Sequence, residues 1–422
     1  MSSLMIQTFI LLSSVTLSGG ELDRVAKVVA DQIKAEPGDI ASTYSSAVLQ
    51  QVTEVRLKAL YGTFYAQHGK VVSVAPAKRD SDLSGKFTFA FEKGVTMKVT
   101  LSISTDRPAK VTGIFFAPPQ QAYKGIEAAL SDLKELPGTV SFQLAQLNDS
   151  GMDVLHSINP ETSLGIGSTF KLYILAAMME EGVSWNKVIK LDDDYKSLPS
   201  GRFHEWPTGS PMTLHTLATA MISESDNTAT DHLLHEVGRK KVESMLSKTG
   251  NRNVDRNKPF LSTLEMFKLK SDTKLLEKYV KGDEDDRRKL LRGRVKRQKR
   301  EGLAPFADGT PMAIDQVEWF ASASDLCRLM QWIKANDKGT ALPLISVNKG
   351  LDVSDEFYEY AGYKGGSEPG VLNMTWLLTT KSGKSYALSV GWNNPADEGA
   401  TLETMIGIIQ PVLDMIGRGE VG

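Results

Sequence analysis

One cysteine, six histidines and almost no surplus of either charge leave several classes of function without support in this chain of 422 residues. The lone thiol, Cys327, can close no internal disulfide, and within the amphipathic stretch Ala323-Ser324-Asp325-Leu326-Cys327-Arg328-Leu329-Met330 it reads as a small core residue. The histidines lack metal-ligand spacing. His232 and His235 stand three apart, but Leu233 and Leu234 between them indicate a packed helix, so neither a metal nor another cofactor is expected. A formal net charge of −2 argues against a dedicated nucleic-acid binder. Long apolar runs are also missing. The run Leu4 to Leu12 is too short to span a membrane, and with the small residues through Gly20 it reads as an export signal over residues 1–20, for a periplasmic or secreted protein. No Lys or Arg precedes that run, which keeps an ordinary buried N-terminal helix as the alternative.

What is present is an ordinary globular balance, 41% hydrophobic and 24% charged, at a length that implies at least two domains. The first, residues 21–118, starts with helical stripes (Leu22, Val25, Val29, Ile33, then Leu49, Val52, Val55, Leu57, Leu60). The period then switches to that of strands: Val71 to Val74, Phe87 to Phe91, Met97 to Ile103 and Val111 to Phe116. Helices followed by a strand meander predict a small α+β unit, which ends at the linker-like Ala117-Pro118-Pro119-Gln120-Gln121. It contains no paired carboxylates and no nucleophile constellation.

The second domain, residues 119–422, carries the chemistry. In Gly165-Ile166-Gly167-Ser168-Thr169-Phe170-Lys171, two glycines permit close backbone approach, and the apolar run that follows predicts a buried helix with Ser168 at its start. Residues three apart on a helix lie roughly 5–6 Å from one another, so Lys171 can reach the Ser168 hydroxyl, and a desolvated neutral amine can take its proton. Taken alone, the same residues fit an N-cap and a surface lysine. A later apolar helix, capped by Thr213, ends in Ser223-Glu224-Ser225-Asp226-Asn227. This is a plain C-terminal turn unless it meets Ser168, in which case Ser225 can relay a proton and Asn227 can orient a carbonyl. Phe203 and Trp206, in the Pro- and Gly-punctuated loop from Ser197 to Pro207, either rim the site or pin the loop to the core. The stretch from Asp283 to Arg300 reads as a solvated helix laced by acid–base pairs, with a patch for an anionic partner as the alternative. Finally, Lys364-Gly365-Gly366-Ser367 opens two predicted strands. It is either a glycine-rich turn or an edge where Lys364 offers a cation to a carboxylate and the glycines admit substrate against the backbone.

Ser168-x-x-Lys171, Ser225-Asp226-Asn227 and Lys364-Gly365-Gly366, in that order, resemble the Ser-x-x-Lys, Ser-Asp-Asn and Lys-Thr-Gly set of class A β-lactamases and penicillin-binding proteins. The resemblance implies an α+β fold with an antiparallel sheet covered by helices on both faces, plus a helical subdomain holding Ser225. It further implies Ser168 as the acylated nucleophile, Lys171 as its base, Ser225 as the proton relay and Asn227 as a ligand of the substrate amide. Lys364 would anchor a carboxylate, and the N–H groups of Ser168 and Ser367 would form the oxyanion hole. The implied substrates are small β-lactams, amides or esters, with no nucleic acid and no stable membrane span; a penicillin-binding sensor that is acylated with little turnover is the alternative. Two departures stand out: Gly365 replaces the usual Thr, and the nearest candidate for the deacylation glutamate, Glu265, lacks the Glu-x-x-Leu-Asn context. The layout of the first domain resembles the cone-shaped domains of the nuclear-transport-factor and polyketide-cyclase group. The two-part chain is similar to the hydrolase of clavulanic acid gene clusters.

Overall fold

The computed structural model describes residues 20–121, 123–149, 151–300, 302, 303, 306, 308–396 and 402–422. Residues 1–19 of the segment read as an export signal therefore lie outside the described residues. The chain forms two compact units that divide at Tyr123.

In the first unit, helix α1 (Gly20–Asp31) turns Leu22, Val25, Ala26 and Val29 inward. Two further helices follow, α2 (Ser46–Gln51) and α3 (Glu54–His68), whose first free N–H groups are met by the hydroxyls of Ser45 and Thr53. Strands β1 (Val71–Ser81), β2 (Ser84–Phe91), β3 (Val95–Ile103) and β4 (Val111–Phe116) form an antiparallel sheet in that order, and β5 (Gln120–Gln121) pairs with β3. Alternation sends Phe87, Phe89 and Phe91 of β2, with Met97, Val99 and Leu101 of β3, into one core with α1. Two details differ from the sequence reading. Strand β1 runs on through Pro76 and the polar Lys78-Arg79-Asp80, which an edge strand with bulges tolerates because one side of its ladder is free. Gln120 and Gln121, read as linker, add to the sheet instead.

The second unit is built on a five-stranded antiparallel sheet in the order β12-β13-β14-β6-β7, formed by β6 (Thr139–Asn148), β7 (Gly151–Ile158), β12 (Tyr358–Glu368), β13 (Val371–Thr380) and β14 (Ser385–Asn393). One face, with Phe142, Leu144, Trp376 and Leu388, packs on α4 (Ile126–Lys134) and α14 (Leu402–Arg418). The other, with Leu377 and Ala387, meets α5 (Lys171–Glu180) and α12 (Ala323–Asn336). Short ribbons join β8 (Leu164–Gly165) to β11 (Phe320–Ala321) and β9 (Val188–Lys190) to β10 (Pro211–Thr213). Helices α6 (Leu214–Ser223), α7 (Asn227–Val237), α8 (Arg239–Lys248), α9 (Thr263–Lys270), α10 (Thr273–Lys281) and α11 (Glu284–Leu290) build the helical part, and α13 (Ala341–Ser346) precedes β12.

Several lesser expectations have visible outcomes. Cys327 is fully buried on α12. His232 is packed, bonded to Asp192 N and Thr228 O. Helix α11 is capped by Asp283 and laced by Arg288–Glu284 and Arg288–Glu243 ion pairs, while Leu291 and Val295 tuck its continuation into the core. No helix among the described residues is long and apolar enough to cross a membrane.

Candidate active site

The nucleophile turn is shaped by a contact between two backbones. Gly167 adopts φ +48°, and a Cβ there would lie 2.8 Å from Ser367 N; one on Gly366 would lie 2.3 Å from Ser168 N and 2.2 Å from Ile166 O. Only glycine on both sides lets the turn press against the edge strand β12. The N–H groups of Ser168 and Ser367 thus come together across this contact. Ser168 itself sits in a single 3₁₀ turn, Gly167–Phe170, and α5 begins only at Lys171. The expected helix start is one turn late, because the tertiary contact holds the preceding residues off α geometry.

Lys171 is fully buried, which removes the surface-lysine reading. Its Nζ donates to Ser225 O (2.6 Å) and Asn227 Oδ1 (2.7 Å) and lies 3.0 Å from Ser225 Oγ; none of these bonds goes to Ser168. Burial, reinforced by the charge of Lys364, holds its ammonium pKa well below the ordinary lysine value. A neutral amine has two hydrogens and one lone pair. The carbonyl of Ser225 and the amide oxygen of Asn227 can only accept, so they take the hydrogens and leave the lone pair to a hydroxyl.

The Ser225-Asp226-Asn227 turn is clamped from below. Ser225 sits at φ +57°, a conformation costly for a residue with a side chain unless its surroundings enforce it. Here the buried Asp226 does so: Oδ2 accepts Arg202 N (2.7 Å) and Phe203 N (2.9 Å), while Oδ1 caps α7 through Ala229 N (2.8 Å). Asn227 N donates to Ser200 O (3.0 Å) and its Nδ2 to Leu198 O (3.2 Å). The loop from Ser197 to Pro207 is therefore the clamp. Phe203 is buried, Trp206 packs edge-on against it at 5.1 Å, and neither lines the cleft, so the aromatics pin the loop.

Lys364 reaches in from β12. It is buried, its Nζ bonds Gly365 O (2.6 Å) and Ser225 Oγ (3.1 Å), and burial lowers its pKa to about 7. Ser225 Oγ thus lies between two amines. Ser168, Ser225, Asn227, Lys364, Gly366 and Ser367 line one cleft of about 440 Å³.

Glu265 is elsewhere. It closes a capping box with Ser262, pairs with Arg239 at 2.8 Å and lines a separate cavity of about 490 Å³. Behind the nucleophile turn lies a buried cluster that motif reading missed, made of Lys270, Glu318 and Glu368. Glu318 Oε2 accepts the N–H of Gly167 (3.3 Å) and of Trp319 (3.1 Å), and Lys270 bonds both carboxyls. Burial and the neighbouring Glu318 push the Glu368 pKa well above the carboxylate range. Through the bond from Gly167 N to Glu318, this cluster supports the turn. The only sequence signal was the position of Glu368 directly after Ser367.

Solved structures similar to this chain include a β-lactamase from Sphaerobacter thermophilus (21% identity, 70% of this chain and 98% of that one, TM-score 0.49). A β-lactamase from Chitinophaga pinensis (16% identity, 69% and 98%, TM-score 0.47) and PBP-A (15%, 70% and 94%, TM-score 0.47) are others. Comparison with curated proteins finds no match. A family model described as the beta-lactamase enzyme family matches residues 121–337, just over half of the chain. On that match the chain belongs to the beta-lactamase enzyme family, whose α+β fold its second unit adopts.

Proposed function

We propose that the protein is a serine hydrolase that forms an acyl-enzyme at Ser168 and cleaves β-lactams or related small amides and esters. The observation that carries this reading is the Ser225 hydroxyl, held 3.0 Å from Lys171 Nζ and 3.1 Å from Lys364 Nζ in the cleft that Ser168 lines. Ser168 Oγ attacks the carbonyl carbon while its proton passes to the neutral Lys171 amine. The oxyanion meets the N–H groups of Ser168 and Ser367, a kind of donor worth ~10²–10³ in rate. Ser225 hands a proton to the departing nitrogen and is resupplied by the lysines on either side. Asn227 holds the substrate amide, and Lys364 in its charged form holds a carboxylate.

A second reading, an acylated sensor with little turnover, is favoured by the carboxylates. Among the described residues that line the cleft, the carboxylic side chains are Glu224, paired with Arg202, and Glu368, bound to Lys270. Glu224 is held in an ion pair, and burial pushes the Glu368 carboxyl toward its protonated form, so neither is suited to activate water and acylation should outrun hydrolysis. Intact-mass measurement with benzylpenicillin tests both readings. One acyl group per chain is expected, absent in Ser168→Ala. Product beyond one equivalent supports the hydrolase, a burst without turnover supports the sensor, and labelling that survives Ser168→Ala removes both.

A further inference from the structure

Gly365 stands where a larger residue has no room. A Cβ built there would lie 2.0 Å from the Tyr363 hydroxyl and 2.7 Å from its Cζ, so the phenol of Tyr363 fills the space beside the motif. The ring is fixed: it packs against Trp376 with centroids 4.8 Å apart, and the backbone of Gly350 covers it so closely that a Cβ there would come within 2.6 Å of ring carbons. The hydroxyl is left unused, since Tyr363 Oη has no hydrogen-bond partner among the described residues, although the side chain lines the cleft. Tyr363 and Lys364 point to opposite faces of β12, but this is the edge strand of the sheet and both border the same space. No arginine lines the cleft among the described residues.

We infer that Tyr363 is a specificity-determining residue whose hydroxyl donates to the substrate carboxylate attracted by Lys364, from the space that a side chain at position 365 would otherwise occupy. The inference rests on the acyl-enzyme reading above. Burial keeps the phenol protonated, so it remains a donor across the pH range in which Lys364 gains and loses its charge. A rigid aromatic donor also loses little conformational freedom on binding.

The test compares benzylpenicillin with its methyl ester, which lacks the carboxylate, by the rate of mass labelling at Ser168. Tyr363→Phe keeps the ring and removes only the oxygen. It is expected to slow labelling by the acid about tenfold to a hundredfold, the range for a lost hydrogen bond to a charged group. The loss should appear in the half-saturating concentration and not in the limiting rate, with the ester unchanged. Equal loss for both probes would make the hydroxyl a packing element and overturn the inference, as would unchanged rates for both. If the unsubstituted chain is labelled by neither probe, the acyl-enzyme reading fails, and the inference with it.

Discussion

Burial acts on Lys171 and Lys364 in the same direction but leaves them suited to different work. The Lys171 ammonium is pushed well below the ordinary lysine value, whereas Lys364, at about 7, is divided between its two forms near neutrality. The charged form binds a carboxylate, so as pH rises through 7 labelling by benzylpenicillin should fall relative to its methyl ester, by up to about tenfold per pH unit. The ratio of the two rates removes the contribution of Lys171, which both probes share, and a ratio flat from pH 6 to 9 would remove Lys364 as the anchor. The same shift affects stability. The unfolded chain keeps this proton up to ~10.4, so the cost of burying Lys364 is present in full below about 7 and is relieved as pH rises between these values. At this scale the sequence was readable where chemistry is carried by short motifs. The Lys270, Glu318 and Glu368 cluster was not, because its members stand 48 and 98 positions apart and no local pattern connects them.

Helix α9 shows what periodicity conveys and what it leaves out. Its Thr263, Met266 and Phe267 face the cleft, while Leu264, Glu265 and Lys268 line the second cavity. The sequence identified Glu265 as the nearest carboxylate, but the capping box with Ser262 fixes which face it takes, and that face is the wrong one for deacylation. Glu265→Gln should therefore change the slow phase of benzylpenicillin turnover by less than about twofold, while weakening the cap and its bond to Arg239 costs about 1–2 kcal/mol of stability. Stopped-flow phases and a denaturant titration read the two effects separately. A large, selective loss of deacylation would restore Glu265 as the base. The offset of α5 has a similar origin: the Gly167–Gly366 contact that forces the 3₁₀ turn joins segments that no local pattern connects.

Across the whole molecule, each unit has cores of its own, and every residue assigned a part in acylation lies after Tyr123. A shortened chain beginning at Tyr123 should fold and be labelled by benzylpenicillin within about threefold of the full chain, because no core residue of the second unit is removed. If it folds but cannot be labelled, the first unit must contribute to the site. That unit was legible as helices followed by strands, since alternation along β2 and β3 is plain, but no motif in its sequence points to a reaction.

The buried thiol of Cys327 gives the second unit a clock. Its Sγ lies on α12 against the carbonyls of Gln143 (3.6 Å) and Ala387 (3.7 Å), on the central strands β6 and β14, and burial pushes its pKa up to about 12. An alkylating reagent needs both access and a thiolate, and neither is available until α12 lifts from the sheet. Since the chain has no other cysteine, each alkylation event records one opening of that layer, while the first unit remains silent.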